Sequence, residues 1–232
     1  MDLIAQGLAE AVRRLISLDP DVIEAASTSL QVSGLAVVLS LVVGMPTGIA
    51  LALGAFPGRR IVLALVNTGL GLPPVVVGLV VAMLLWRSGP LGSLDLWCTR
   101  GAMIMAQFVI ALPEVIGLTV VAVQALDPLL RTQVAALGAT TAQSFAILAA
   151  EARLPLLTAA MAGFGAVISE LGASLIAGCN IKGDTRILTT AIVFQADRGE
   201  FGTAFALAAI LLALIFAVNL TVTWVQQRPR PL

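Results

Sequence analysis

The feature that most constrains this chain is where its charges are missing. No Asp, Glu, Lys or Arg occurs in residues 25–58, 61–86 or 201–227, and the stretches 101–126 and 154–181 hold one each, Glu114 and Glu170. A helix crosses the hydrocarbon layer with roughly 20 apolar residues, so all five stretches are long enough. They are apolar on every side and do not alternate in segments of about ten residues, as the strands of a membrane barrel would. The pattern predicts an all-α membrane protein with five transmembrane helices, over about 25–55, 61–87, 101–126, 154–181 and 201–227. The first stretch is longer than a bilayer needs, so its helix tilts or projects beyond it.

Composition narrows the function. Charged residues are 11% of the 232 and hydrophobic ones 59%, against about 25% charged in an ordinary soluble domain. The 13 basic and 13 acidic residues cancel, leaving no overall field for nucleic acid. There is no His, which with the lack of a nucleophile constellation argues against an intramembrane hydrolase and leaves no metal site in view. A phosphate-binding loop needs Gly-Lys-Ser/Thr, but the only Lys, Lys182, stands between Ile181 and Gly183. ATP hydrolysis in this chain is therefore not expected, nor any other enzymatic activity. Cys98 and Cys179 lack metal-ligand or redox spacing and read first as small buried apolar residues, a disulfide or metal role being the alternative.

Two segments differ from the spans. In residues 1–21, Ile4, Leu8, Val12 and Leu15 recur at helical spacing, while Asp2, Gln6, Glu10, Arg13 and Arg14 lie off that stripe. An amphipathic interfacial helix is expected, followed by a break at Asp19-Pro20-Asp21 and a transmembrane domain over 22–228. Residues 127–153 carry Asp127, Arg131, Glu151 and Arg153 and mix Thr132, Gln133, Thr140, Thr141, Gln143 and Ser144 with Ala, Leu and Phe145. The segment is too polar for lipid and too helix-prone for a plain loop, so a helical docking segment outside the bilayer is expected.

Residues 131–140, RTQVAALGAT, followed by Phe145 and Leu154-Pro155, resemble the EAA loop of importer-type ABC transporter permeases. Leu137, Gly138 and Ala139 match the centre of that motif; Thr132 stands where the family usually has Glu, and Leu154-Pro155 comes about one helical turn late. Phe56 to Arg60, Leu72 to Leu79 and Arg87 to Gly92 resemble the oxyanion permeases for molybdate, tungstate and sulfate, and Ile168 to Ala173 resembles their gate region. The run from Gly178 to Ile192 is most similar to tungstate permeases. Together these cover roughly residues 25 to 220.

The resemblance implies a homodimer with two copies of a cytoplasmic ATPase that holds ATP and Mg, fed by an extracytoplasmic oxyanion-binding protein, with no cofactor in this chain. It assigns ATPase coupling to Thr132, Gln133, Leu137, Gly138, Ala139, Phe145, Leu154 and Pro155. It also puts 127–153 and the tail 229–232 in the cytoplasm and the N-terminus outside. The positive-inside count does not decide this: Arg59, Arg60, Arg131, Arg153, Arg228 and Arg230 would be inside, six against seven outside.

For the pathway, Pro73-Pro74 breaks the second span, and non-helical backbone at membrane depth lines a cavity or is buried in protein. Glu170, between Ser169 and Gly172, reads as a gate hydrogen bond or as an acid satisfied by backbone, and Glu114 as structural. Neutral donors suit an anion that must be released: Ser169, Ser174, Asn180, Thr189 and Thr190 are candidates, each equally explicable as a helix-packing bond. Molybdate or sulfate is the alternative cargo. A proton-coupled transporter using Glu114 and Glu170 is the alternative class.

Overall fold

A computed structural model describes residues 2–17 and 19–227. The tail 229–232, Arg228 and the side chains of Asp2, Gln6, Arg14, Leu15 and Arg131 lie outside the described ones. Eleven helices and a short 3-10 turn make up the regular structure among these residues, with no strand. Three helices are long and apolar enough to cross a membrane alone, and two bent pairs raise the number of candidate spans to five.

Helix α1 (Asp2–Ile16) packs against α11 (Phe201–Gln226) through its small residues. Ala11 is buried in a cluster with Leu207, Ile210 and Leu211, and a methyl group on Gly7 would lie 2.5 Å from Phe205 Cδ1. Ile4, Leu8 and Val12 are exposed. The expected apolar stripe is thus not what holds α1 to the bundle.

Helix α2 (Pro20–Leu53) begins where the break was expected, because Asp19 caps it: its carboxylate accepts the Asp21 N–H at 3.0 Å, with Pro20 at the first helical position. Its partner is α5 (Arg100–Gln124). Gly44 and Gly48 let the two backbones approach; an added Cβ would lie 2.9 Å from Val115 Cγ1 and 2.6 Å from Thr119 Cβ respectively. Ser40, one turn before Gly44, also reaches the Phe108 carbonyl at 3.4 Å.

Two expected spans are not single helices. The second divides into α3 (Arg59–Gly69) and α4 (Pro74–Leu85), bent by 101°, because Pro73 and Pro74 supply no N–H to continue the ladder. The fourth divides into α8 (Arg153–Ile168) and α9 (Gly172–Gly178), interrupted at Ser169, Glu170 and Leu171. Helices α6 (Pro128–Ala136) and α7 (Thr141–Glu151) form the expected helical segment between the third and fourth spans, and α7 meets α8 at 75°. A further helix, α10 (Leu188–Asp197), follows the loop after α9.

The cysteines correct the first reading of them as buried apolar residues. Cys98, just before α5, and Cys179, at the end of α9, form a disulfide. Neither is fully buried, and each takes a left-handed backbone conformation at φ 60°.

Candidate functional site

The interruption between α8 and α9 is organised by one buried acid. Glu170 is only 7% exposed. Both its carboxylate oxygens accept the Ala173 N–H at 3.1 Å, and Oε2 also accepts the Ser174 N–H at 3.2 Å and the Ser174 hydroxyl at 3.5 Å. The side chain thereby satisfies first-turn amides that have no partner inside α9. Thr189, from the start of α10, donates to the Glu170 carbonyl at 3.0 Å. The structure thus places Glu170 at the break itself, with its carboxylate on the α9 amides and its carbonyl on Thr189.

The second interruption meets the first. A methyl group on Gly172 would lie 2.5 Å from Val75 Cγ2, and one on Gly78 would lie 2.5 Å from Ala173 Cα. Helix α4 therefore leaves the Pro73-Pro74 break directly against the first turn of α9. Leu70 to Pro73 are exposed, as are Asn67 and Thr68 before them and Ser169 beside the other break. The Ser169 hydroxyl bonds back to the Gly165 carbonyl at 2.7 Å.

The remaining expected donors are engaged within the fold. Ser174 is fully buried and accepts the Gln107 side-chain amide at 2.9 Å. The Thr190 hydroxyl accepts the Ile187 N–H at 3.1 Å, capping α10. Asn180 Oδ1 accepts Arg186 Nε at 3.1 Å, and the Arg186 guanidinium stacks 4.4 Å from the Phe194 ring centre. Lys182 pairs with Asp21 at 2.6 Å, and Arg100 binds the Asp184 carbonyl at 2.8 Å. The loop from Cys179 to Ile187 is thus tied to the N-terminal ends of α2 and α5.

The segment expected to dock lies at the opposite end. Gly138, at φ +73°, turns the chain between α6 and α7, a conformation Gly adopts without the Cβ penalty. Thr140 then starts α7 with a reciprocal cap: its hydroxyl accepts the Gln143 N–H at 3.3 Å and its own N–H reaches Gln143 Oε1 at 2.8 Å. Leu137 is 86% exposed, and Thr132 and Gln133 are exposed beside it, with Ala139 half-buried. Phe145, which the resemblance assigns to coupling, is half-buried and packs against the apolar cluster that includes Ile49, Val123 and Leu156, at the C-terminal ends of α2 and α5. Leu154 and Pro155 open α8, where Gln226 of α11 donates to the Leu154 carbonyl at 3.3 Å.

The disulfide was the alternative reading of the two cysteines and is the one the fold adopts. What escaped the sequence is Gln107, an amide in the apolar run of α5 whose partner, Ser174, lies 67 positions away.

A family model described as "Binding-protein-dependent transport system inner membrane component" matches residues 44–231. A probable anion ABC transporter permease protein of Haloferax volcanii is 42% identical over 198 residues, 83% of this chain and 85% of that one. The tungstate uptake system permease protein TupB of Peptoclostridium acidaminophilum is 34% identical over 227 residues, 98% of this chain and 100% of its own length. An amino acid ABC transporter crystallised with histidines aligns with a TM-score of 0.63 over 93% of this chain and 97% of the other, at 16% identity, a likeness of fold alone. With the matched region spanning everything from the second half of α2 onward, the chain belongs to the family of binding-protein-dependent transport system inner membrane components.

Proposed function

We propose that this chain is the membrane-spanning permease subunit of an ABC importer and that its cargo is tungstate. The observation that carries the cargo is the alignment with a tungstate permease along that protein's whole length. Energy comes from a separate ATPase that binds ATP and Mg; two copies of the permease enclose the pathway, and an extracytoplasmic binding protein delivers the anion.

The chain's own residues suggest how the subunits work together. Helices α6 and α7 present Leu137 to a partner while Phe145 seats them on the ends of α2 and α5. A push there passes through α8 to its interruption at Ser169–Leu171, and α9 moves with α4 because Gly78 and Gly172 leave no slack between them. A dimer would face the exposed segment Leu70–Pro73 and Ser169 toward the pathway. Arg59, Arg87, Arg100 and Arg153 stand only at the ends of the apolar stretches, and none of 61–86, 101–126 or 154–181 contains Lys or Arg, so a doubly charged anion meets no fixed cation along them and is released readily.

The orientation with the N-terminus outside has support independent of resemblance. Disulfides persist in oxidising compartments, and this one sits at the end of the bundle where Lys182 meets Asp21. Residues 127–153 are at the other end, where an ATPase in the cytoplasm would reach them.

The test is co-purification with the ATPase and binding protein, followed by ATPase assays with tungstate, molybdate and sulfate. Stimulation by tungstate at the lowest concentration is expected. Stimulation by molybdate or sulfate alone overturns the cargo. Uptake that follows a proton gradient without ATP overturns the transporter class.

A further inference from the structure

We propose that Gln107 is a positioning residue of the gate, acting through Ser174 on the Glu170 carboxylate. The proposal rests on the importer reading for its meaning in transport but on geometry alone for the linkage. Gln107 is 0% exposed in the middle of α5. Its Nε2 donates to Ser174 Oγ at 2.9 Å, and that hydroxyl passes its own hydrogen to Glu170 Oε2 at 3.5 Å. The relay joins the long continuous helix α5 to the carboxylate that caps α9 across the interruption.

The other end of the same amide argues that this bond matters. Gln107 Oε1 is buried with no hydrogen-bond partner among the described residues. A buried acceptor left unpaired costs about 1–3 kcal/mol, and the absence of water in a bilayer interior gives it no relief. Methionine would fill nearly the same volume without that cost. What the amide adds is its donated bond to Ser174, which fixes the hydroxyl rotor so that its hydrogen is directed at Glu170. The interruption is then held from three helices: by Gln107 of α5 through Ser174, by the amides of α9, and by Thr189 of α10 on the Glu170 carbonyl. Any motion that separates α5 from α9 must first release this relay, so the linkage couples helix displacement to the cap that defines the break.

Three variants test it in the assembled transporter: Gln107→Met, Ser174→Ala and the double substitution. The first readout is hydrogen exchange of the Ala173 and Ser174 amides in nanodiscs. Each single variant is expected to speed exchange about tenfold, and the double variant no more than either single one, since all three interrupt one chain. The second readout is the ratio of tungstate-stimulated to basal ATPase rate, which a role in packing alone would not move in correctly assembled complex. It is expected to fall at least threefold in Gln107→Met and to be restored substantially by Gln107→Glu, whose protonated form can donate to Ser174. Additive exchange effects, or unaltered exchange in Gln107→Met, would overturn the proposal. If the unmodified complex responds to no oxyanion, the cargo reading fails, while exchange still decides the linkage.

Discussion

Leu137 and Phe145 lie eight positions apart in one docking segment, yet they face opposite ways. Leu137 projects from the turn at 86% exposure, whereas Phe145 closes over the ends of α2 and α5. Leu137→Asp is therefore expected to weaken ATPase co-purification at least tenfold with the permease's thermal stability unchanged. Phe145→Asp would place a charge against an apolar cluster and cost the permease about 2 kcal/mol or more, visible as a lowered unfolding temperature with no ATPase present. Equal, purely docking effects of the two would contradict these orientations. Gly138 separates backbone from packing: no atom lies within 4 Å of an added Cβ, but φ is +73°. Gly138→Ala should cost about 1–2 kcal/mol in that turn, from the left-handed backbone alone, and shift the docking surface. Gly138 was reached through the resemblance of residues 131–140 to a family loop, and its left-handed φ supplies the physical reason a glycine stands there. The sequence could not show which way Phe145 faces, since a short helix with apolar residues on both sides leaves the buried side to tertiary contacts.

At the scale of elements, the two interruptions differ in how visible they were. Pro73-Pro74 breaks a helix by covalent structure, so the bend between α3 and α4 could be read directly. Ser169, Glu170 and Leu171 forbid nothing, and a continuous span over 154–181 was the natural expectation. That helix is broken with the help of partners remote in sequence, Thr189 on the Glu170 carbonyl and Val75 against Gly172, while Ser174 beneath the carboxylate is a local one. The contact between α4 and α9 is tight enough to test by volume. Gly78→Val would drive a side chain into the Ala173 backbone, 2.5 Å from the added Cβ, and such overpacking costs about 1–3 kcal/mol or moves the helices apart. Loss of most uptake is expected, with membrane insertion and ATPase binding kept. Gly34→Val is the control, because nothing lies within 4 Å of its added Cβ. If both variants transport alike, α4 and α9 do not move as a unit.

At the scale of the whole molecule, five apolar stretches could be counted from the sequence, but whether the two cysteines meet could not be decided from it. Cys98 and Cys179 are 81 positions apart, on either side of two spans and the docking segment, and only the fold brings their Cα atoms to 5.1 Å. A cross-link of that separation stabilises by up to about 4 kcal/mol in a chain-entropy account, and by less where helices persist in the membrane after tertiary contacts are lost. The same pair reports on orientation. Lys182–Asp21 and Arg100–Asp184 surround the disulfide, whereas Phe145 and the Gln226–Leu154 bond mark the opposite end. Cys98→Ser leaves Cys179 as a single half-buried thiol at the first end, and Gln133→Cys on a Cys98→Ser/Cys179→Ser background puts one exposed thiol at the second. A membrane-impermeant maleimide applied to intact cells should label Cys179 in the first variant and leave the second unlabelled until the membrane is permeabilised. The reverse pattern would invert the bundle, remove the docking segment from the reach of any cytoplasmic ATPase, and overturn the importer mechanism along with the topology.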